Sequence, residues 1–430
     1  MRIGVISSDS GGCFHFRVKQ PLDNLKAFGV QWINYGFMPS NPLTSDLDEL
    51  CKLFNRVDIV ICQRSTNLAL VRHLKNACHL MGKPLVYEVD DDYINLFPTN
   101  PAYYSLCKPE FQDTYFTLKK QITEAKDNNE IKEKKLALDA FMPILEKSRQ
   151  EGIEQYKDLL KLPDLITVTT KELKSVLYLY NENIAVLPNN VENVYYEKDY
   201  VEEKVSSDGN VVVPYKFGLA AIPAFWSDNK GNKKRIIRVG YTGTISHREE
   251  FGTISYYWNK LVKKYADQVW FVYLGDNYFY EQQNFVRNRR FYIPQTQFDT
   301  YLMNVRNIDV GIAPLMPNIF NQSKSDIKMV EYGCWGNTAV LPNYVTYNRN
   351  WKHEETCLFY NNGYEFEQMM EEVIFNQELR ITLGQNAREY VRENRLERLH
   401  SEERFNVYND LISSHPKLVQ FTPNKELVNA

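Results

Sequence analysis

Residues 308–343 read IDVGIAPLMPNIFNQSKSDIKMVEYGCWGNTAVLPN. Two short Val/Ile/Leu runs, 308–315 and 337–343, flank a helix-length segment. That is the pattern of a strand, a crossover helix and a parallel neighbouring strand. Within it, NQSKSDIKMVEYG (321–333) reads as a single helix. Ile327, Val330 and Cys334 give it an apolar stripe, while Lys324, Lys328 and Glu331 stand at i, i+4 and i+7 on the neighbouring face. With Lys324 in the first turn, the macrodipole opposes its charge by roughly 0.3 to 1 kcal/mol, so a negative group is expected nearby. Two ammonium groups one turn apart at a helix N-terminus can hold a diphosphate, and a following carboxylate can accept hydrogen bonds from ribose hydroxyls. The plainer alternative is a solvated face carrying one Lys328–Glu331 pair, worth about a few tenths of a kcal/mol.

The same rhythm extends outward in both directions. RIIRVGYTG (235–243), VWFVYLGD (269–276), RFYIPQ (290–295) and TCLFYNN (356–362) complete a second half, and RIGVISS (2–8), VDIVICQR (57–64), PLVYEVDD (84–91), LITVTT (165–170) and IAVLPNN (184–190) make up a first. A chain of 430 residues exceeds one ordinary core. The expected fold is therefore α/β, with two doubly wound Rossmann-like domains facing a cleft, at 1–205 and 234–395. Residues 206–233 would connect them, 100–163 would be a charged helical insertion in the first domain, and 396–430 a C-terminal helix and tail. Ligands of such sheets bind outside the carboxyl ends of the strands, so the chemistry is sought there.

Composition removes several functional classes. Lys and Arg number 51 against 54 Asp and Glu, for a net charge of −3, which lacks the basic excess of a protein held to nucleic acid by its phosphates. Only NKKRIIR (232–238) and RNRR (287–290) are locally basic. Seven scattered cysteines without a C-x-x-C pair, and seven dispersed histidines, suggest reduced thiols and no metal site. No apolar run reaches the roughly 18 to 20 residues of a membrane span. MRIGVISSDSGG passes directly from strand to glycine loop, unlike a signal peptide, so the expected location is cytoplasmic.

Candidate residues cluster at strand ends. Gly11 and Gly12 in SSDSGGCFHFR allow close backbone approach, and the helix after them offers N–H groups to an anion. VGYTGTISH places Gly243 and Thr244 in a possible anion-binding nest, with His247 beyond, but has no P-loop lysine. Pro294 and Gln295 close RFYIPQ. In EVDDDY (88–93), Asp90, Asp91 and Asp92 repel one another, so at least one carboxyl is expected to have a raised pKa suited to accepting a proton. The alternative there is an ordinary turn or helix cap. His15, Arg17, Arg64 and Asp92 stand at the same strand ends and are candidates for binding a second substrate.

These motifs resemble those of a known enzyme group. Residues 308–342 resemble the donor-binding region of GT-B glycosyltransferases, specifically the retaining family 4 enzymes. VTTKELKSVLYLYNENIAVLPNNVE (168–192) resembles the end of their N-terminal domain, and VGYTGTISHREEF (239–251) is similar to the first strand and loop of their C-terminal domain. The resemblance implies a C-terminal domain that binds a nucleotide-diphosphate-sugar as co-substrate, an N-terminal domain that binds the acceptor, and transfer with retention and without a metal cofactor. Glu331 matches the family's ribose-binding glutamate. The second family glutamate would fall on Ser323, and the usual Arg and Lys after the first C-terminal strand give way to Thr244 and His247. Lys324 and Lys328 are then expected to take the phosphates.

On this reading the donor set is Gly11, Gly12, Gly243, Thr244, His247, Pro294, Gln295, Lys324, Lys328 and Glu331. Asp90 and Asp91 are the catalytic candidates near the reacting sugar. The Asp90-x-Asp92 pattern also resembles the metal motif of the GT-A fold, but a second doubly wound half argues for GT-B. The expected acceptor is a glycan hydroxyl. The rivals are a phage-type enzyme that glycosylates a hydroxymethylated DNA base, using the insertion and basic clusters to hold DNA, and a non-catalytic nucleotide-sugar binder.

Overall fold

The apolar runs become two parallel sheets in a computed structural model that describes residues 1–37, 47–192, 210–215, 218–223, 225–227, 231, 233–265, 268–282, 290–294 and 298–416. The first sheet contains β1 (Arg2–Ser7), β2 (Gln31–Phe37), β3 (Ile59–Gln63), β4 (Leu85–Glu88), β5 (Leu165–Val168) and β6 (Ile184–Val186). Their order is β2-β1-β3-β4-β5-β6, and all pairs are parallel. β1, β3, β4 and β5 are buried along nearly their whole length, because helices cover both faces. β2 escaped the sequence reading. Residues 31–34 alternate exposed and half-buried, as on a sheet edge, so no continuous apolar run marks them.

Two short antiparallel ribbons follow where a connection was expected: β7 (Asn210–Tyr215) with β8 (Gly218–Pro223), and β9 (Phe225–Ser227) with β10 (Lys233–Arg235). The second sheet contains β11 (Ile237–Gly243), β12 (Val269–Gly275), β13 (Arg290–Pro294), β14 (Val310–Ile312), β15 (Thr338–Pro342) and β16 (Leu358–Tyr360). It runs β13-β12-β11-β14-β15-β16, again all parallel. Strand order reverses at β11/β14, where ligands of such sheets bind. Its core gathers Val239, Trp258, Phe271, Ile312, Val340 and Phe366 among others.

The chain forms two compact units, one of Met1–Asp90, Tyr104–Leu187 and Ser401–Ala430, the other of Asp91–Tyr103 and Pro188–His400. Two of these junctions have a packing reason. Tyr408 is buried in the core of the first sheet with Ile3, Ile59 and Val86, which draws the end of the last helix, Glu397–Ser414, into the first unit. Phe97 meets Phe320 with ring centroids 5.7 Å apart, which draws 91–103 into the second. The segment read as an insertion contains the helices Pro109–Glu124 and Asn128–Leu160. All seven cysteines are free thiols, five of them buried. Among the described residues no helix is long and apolar enough to cross a membrane.

Candidate functional site

Residues 321–333 do not form one helix. A short helix, Ile319–Ser323, ends at Lys324, whose φ of −65° and ψ of 150° are extended, and a second, Ile327–Cys334, starts after Asp326. Lys324 therefore stands at a helix C-terminus, where the dipole favours a cation, and the expected conflict with a first turn disappears. The break is held from outside. The buried Asp326 carboxylate accepts Nη1 and Nη2 of Arg395 at 2.7 and 2.9 Å, Nδ2 of Asn350 at 2.9 Å and Nε1 of Trp351 at 2.8 Å. Burial alone would raise its pKa, but Arg395 and the other donors outweigh burial and bring it down to about 2. The Arg349 guanidinium also donates to the Lys324 carbonyl, and Asn189 Nδ2 donates to Ser325 Oγ at 3.0 Å.

The second helix presents the charged pair. Lys328 Nζ lies 3.0 Å from Glu331 Oε2 and donates to the Tyr301 hydroxyl at 2.7 Å, and Tyr301 donates to that same Oε2 at 2.7 Å. The Glu331 side chain is 3 % exposed and that of Lys328 24 %, so this closed triangle is not a solvated surface pair. Burial and then the Glu331 charge push the Tyr301 hydroxyl well above its usual pKa, so it remains a donor. The helix is seated on the switch point by Tyr332, whose hydroxyl donates to the Ile312 carbonyl at 3.0 Å and lies 3.3 Å from Thr242 Oγ1. A Cβ on Gly311 would meet the Tyr332 ring at 2.6 Å, which explains the glycine.

His247 follows β11, its N–H bonded to the Thr244 carbonyl at 3.1 Å. Burial, then the ammonium groups of Lys324 and Lys328, hold its imidazole well below the ordinary pKa, so it is neutral at pH 7. Both lysines and His247 thus share one electrostatic neighbourhood. Lys324 Nζ sits 4.7 Å from the Phe320 ring centroid. Glu250, fully buried, has its pKa raised by burial against the opposing pull of Lys324, and Asn321 Nδ2 approaches its Oε1 at 3.5 Å. Gly243 pairs with Gly275, whose φ is +114° and whose added Cβ would strike the Gly243 carbonyl oxygen at 2.3 Å. Thr244 is exposed, with Oγ1 2.6 Å from Ser246 Oγ. Pro294, paired with Gly275, ends an edge strand at this carboxyl edge. Gln295 lies outside the described residues. Ser323 is buried and donates back to the Ile319 carbonyl at 3.3 Å, as an ordinary helical serine.

The first unit holds the remaining candidates. The N-terminus at Gly11 and Gly12, expected to receive an anion, receives the chain's own: Asp9 Oδ1 accepts the N–H of Gly11 at 2.8 Å and of Phe14 at 3.4 Å. Asp9 Oδ2 pairs with Arg64 Nε at 2.9 Å, and Arg64 Nη1 lies 3.2 Å from Cys13 Sγ and 4.0 Å from Asp90 Oδ1. Arg64 has φ +38°, a left-handed conformation costly for a side-chain-bearing residue. Arg17 is turned inward. Its Nε lies 2.6 Å from Glu88 Oε1 and its Nη1 donates to the Leu187 carbonyl at 2.5 Å, both inside the fold. His15 is likewise buried, edge-on to Phe16.

The acidic run is split between the units after Asp90. Asp91 is half-buried, while Asp92 is fully buried and caps a turn, accepting from Ile94 N–H at 3.1 Å, Asn95 N–H at 3.2 Å and Asn95 Nδ2 at 2.7 Å. Its pKa is raised, as expected of one member of the run, but burial is the cause, not repulsion among the three carboxyls. Both Asp92 oxygens are thus engaged by the turn. No group of three or more metal-ligating side chains occurs among the described residues. Three side chains of the basic clusters have partners among the described residues. Arg235 and Arg238 bond Asp309 at 2.9 and 3.1 Å, Arg290 stacks on Tyr280, and 287–289 lie outside the described residues.

Tyr301, Glu250, Asp326 and Arg395 escaped the sequence reading. Asp326 carries a local signal, an Asp directly before an apolar periodic run. Tyr301 and Arg395 carry none, because their partners are 30 and 69 residues away.

No protein-family profile matches the chain, and no curated protein matches it in sequence. Solved structures do resemble it. HepE of Anabaena in complex with UDP-glucose superposes with a TM-score of 0.60 at 12 % identity, covering 96 % of this chain and 100 % of that one. A glycosyltransferase from Rickettsia africae gives 0.59 at 12 % identity over 96 % and 98 %. Sucrose-phosphate synthase from Thermosynechococcus elongatus gives 0.58 at 11 % over 96 % and 99 %. The two six-stranded parallel sheets with their helices match the paired Rossmann-like domains of GT-B glycosyltransferases.

Proposed function

We propose that the protein is a retaining glycosyltransferase that moves a sugar from a nucleotide-diphosphate-sugar to an acceptor hydroxyl in glycan biosynthesis. One observation carries the reading: Lys328, Tyr301 and Glu331 form a hydrogen-bonded triangle, with the Glu331 side chain only 3 % exposed, at the helix seated on the switch point of the second sheet. Glu331 takes the nucleotide ribose, and Lys324 and Lys328 stabilise the departing diphosphate in a site where charge acts more strongly than in water. The neutral His247 donates or accepts a hydrogen bond without adding a third cation. Asp90, whose Oδ1 lies 4.0 Å from Arg64 Nη1, and Asp91 orient the acceptor hydroxyl. UDP-glucose bound to the structurally similar HepE supports a UDP-sugar as the donor class.

The reading requires no metal. The engaged oxygens of Asp92 argue against the D-x-D alternative, and the net charge of −3 argues against a DNA acceptor.

A panel of nucleotide-sugars tested for thermal stabilisation addresses the donor first, because a ligand at about 100 times its Kd stabilises by about 2.7 kcal/mol whatever the acceptor. Stabilisation by one nucleotide class, followed by turnover or donor hydrolysis undiminished by EDTA, is expected. Absence of stabilisation by every nucleotide-sugar overturns the reading. Tight donor binding without any hydrolysis or transfer would instead mark a non-catalytic binder, and salt-sensitive DNA binding with transfer to a modified base would mark a DNA enzyme.

A further inference from the structure

The helix Asn128–Leu160 buries one edge through Leu138, Leu145, Gly152 and Ile153. A different face, Leu136, Ala140, Pro143 and Ile144, is exposed, with Leu136 at 62 % and Ile144 at 51 %. These residues stand at i, i+4, i+7 and i+8, the spacing of a seam that one helix offers to another. The contact of Phe111 with Phe141 fixes the pairing of this helix with Pro109–Glu124. Counting five residues from each of that pair puts Phe116, 53 % exposed, level with Leu136. The helix meets the first sheet through Tyr156, whose ring lies 6.5 Å from that of Tyr87, so the seam is an apolar patch on a stretch nearer the helix's N-terminus, away from that contact.

Its flanking charges select the occupant. Glu133 and Lys147, both exposed, lie seven residues to either side of Ala140, and Leu136 and Ile144 lie four residues to either side. A two-fold axis at Ala140 running an identical helix antiparallel places Leu136 against Ile144 of the partner subunit and Glu133 against Lys147 of the partner subunit, each contact made twice. The small Ala140 side chain lets the helices approach at the axis. Such self-complementarity is what an isologous interface requires. We infer that this seam pairs antiparallel with the same seam of a second copy of the chain, forming a two-fold dimer centred on Ala140.

The association is expected to be weak and concentration-dependent. The apolar seam is only about three turns long, below the area of a permanent interface, and the two Asp139 carboxylates meet near the axis.

Sedimentation of the full chain from about 1 to about 100 µM should show a monomer–dimer equilibrium in the range typical of small interfaces. Glu133→Lys alone and Lys147→Glu alone should each raise the dimer dissociation constant by about tenfold, because like charges then face each other. The two substitutions together should restore it. Ala140→Cys should form a disulfide-linked dimer under mild oxidation that the parent, with its own seven cysteines, does not form. Because Leu136 is already exposed, Leu136→Glu should abolish the dimer without lowering the melting temperature.

A monomer at every concentration overturns the inference, as does a dimer indifferent to the charge swaps and to Leu136→Glu. Binding of the monomer to anionic vesicles that Leu136→Glu abolishes would assign the seam to a lipid surface and overturn it equally.

Discussion

Asp326 and Arg395, 69 residues apart in sequence, form a buried two-pronged ion pair at 2.7 and 2.9 Å that fixes the start of the helix carrying Lys328 and Glu331. The pair therefore does structural work for the candidate site without touching a substrate. Removing one partner leaves a buried charge unmatched, so Asp326→Ala should lower stability by about 3 to 5 kcal/mol in denaturant titration. The pH dependence has a definite sign. With its folded pKa at about 2, below the ordinary carboxylate value, Asp326 contributes stability that is complete above about pH 4 and is lost as pH falls toward 2. The contribution is roughly 2 kcal/mol, and Asp326→Ala should lack that portion of the acid sensitivity.

Lys328→Ala and Glu331→Ala should remain folded yet lose donor binding. A charge-assisted hydrogen bond contributes about 1.5 to 3 kcal/mol, so each variant should weaken nucleotide-sugar binding by roughly ten- to a hundredfold in calorimetry. Near-normal turnover in both would remove the donor assignment.

Tyr301→Phe tests positioning. The hydroxyl bonds both Lys328 and Glu331 and is held as a donor by burial and the adjacent carboxylate. Its loss should free Lys328 and Glu331 to adopt other rotamers, raising the donor KM by about tenfold while kcat falls less. An unchanged KM would reduce Tyr301 to a packing residue.

Donor binding should be accompanied by proton uptake. His247 is neutral in the free protein because of burial and two neighbouring ammonium groups, and a bound diphosphate offsets that repulsion and raises its pKa. Calorimetry in buffers of differing ionisation enthalpy should detect the uptake, and His247→Asn should abolish it.

Much of the architecture is legible in the sequence because buried parallel strands announce themselves as apolar runs. Every strand of the second sheet falls on one, and in the first sheet only the alternating edge strand Gln31–Phe37 does not. Glu331 and Lys328 are legible as a pair for the same reason, being three residues apart on one helix. What escapes is set by distant partners. The helix break at Lys324 depends on Arg395, the inward turn of Arg17 depends on Glu88 and Leu187, and Asp9 occupies the N-terminus after Gly11 through a side-chain bond that composition does not signal. The acidic run is divided because Phe97 finds Phe320, far along the chain.

The link Lys324–Asp326 has an evolutionary consequence. One ammonium group rides on an extended connector, whereas Lys328, Tyr301 and Glu331 are locked by helices. Substitutions at 324 and 325 can re-aim that single charge without disturbing the hydrogen bonds among Lys328, Tyr301 and Glu331. Position 324 can therefore drift among descendants of this chain while the triangle on the neighbouring helices stays fixed.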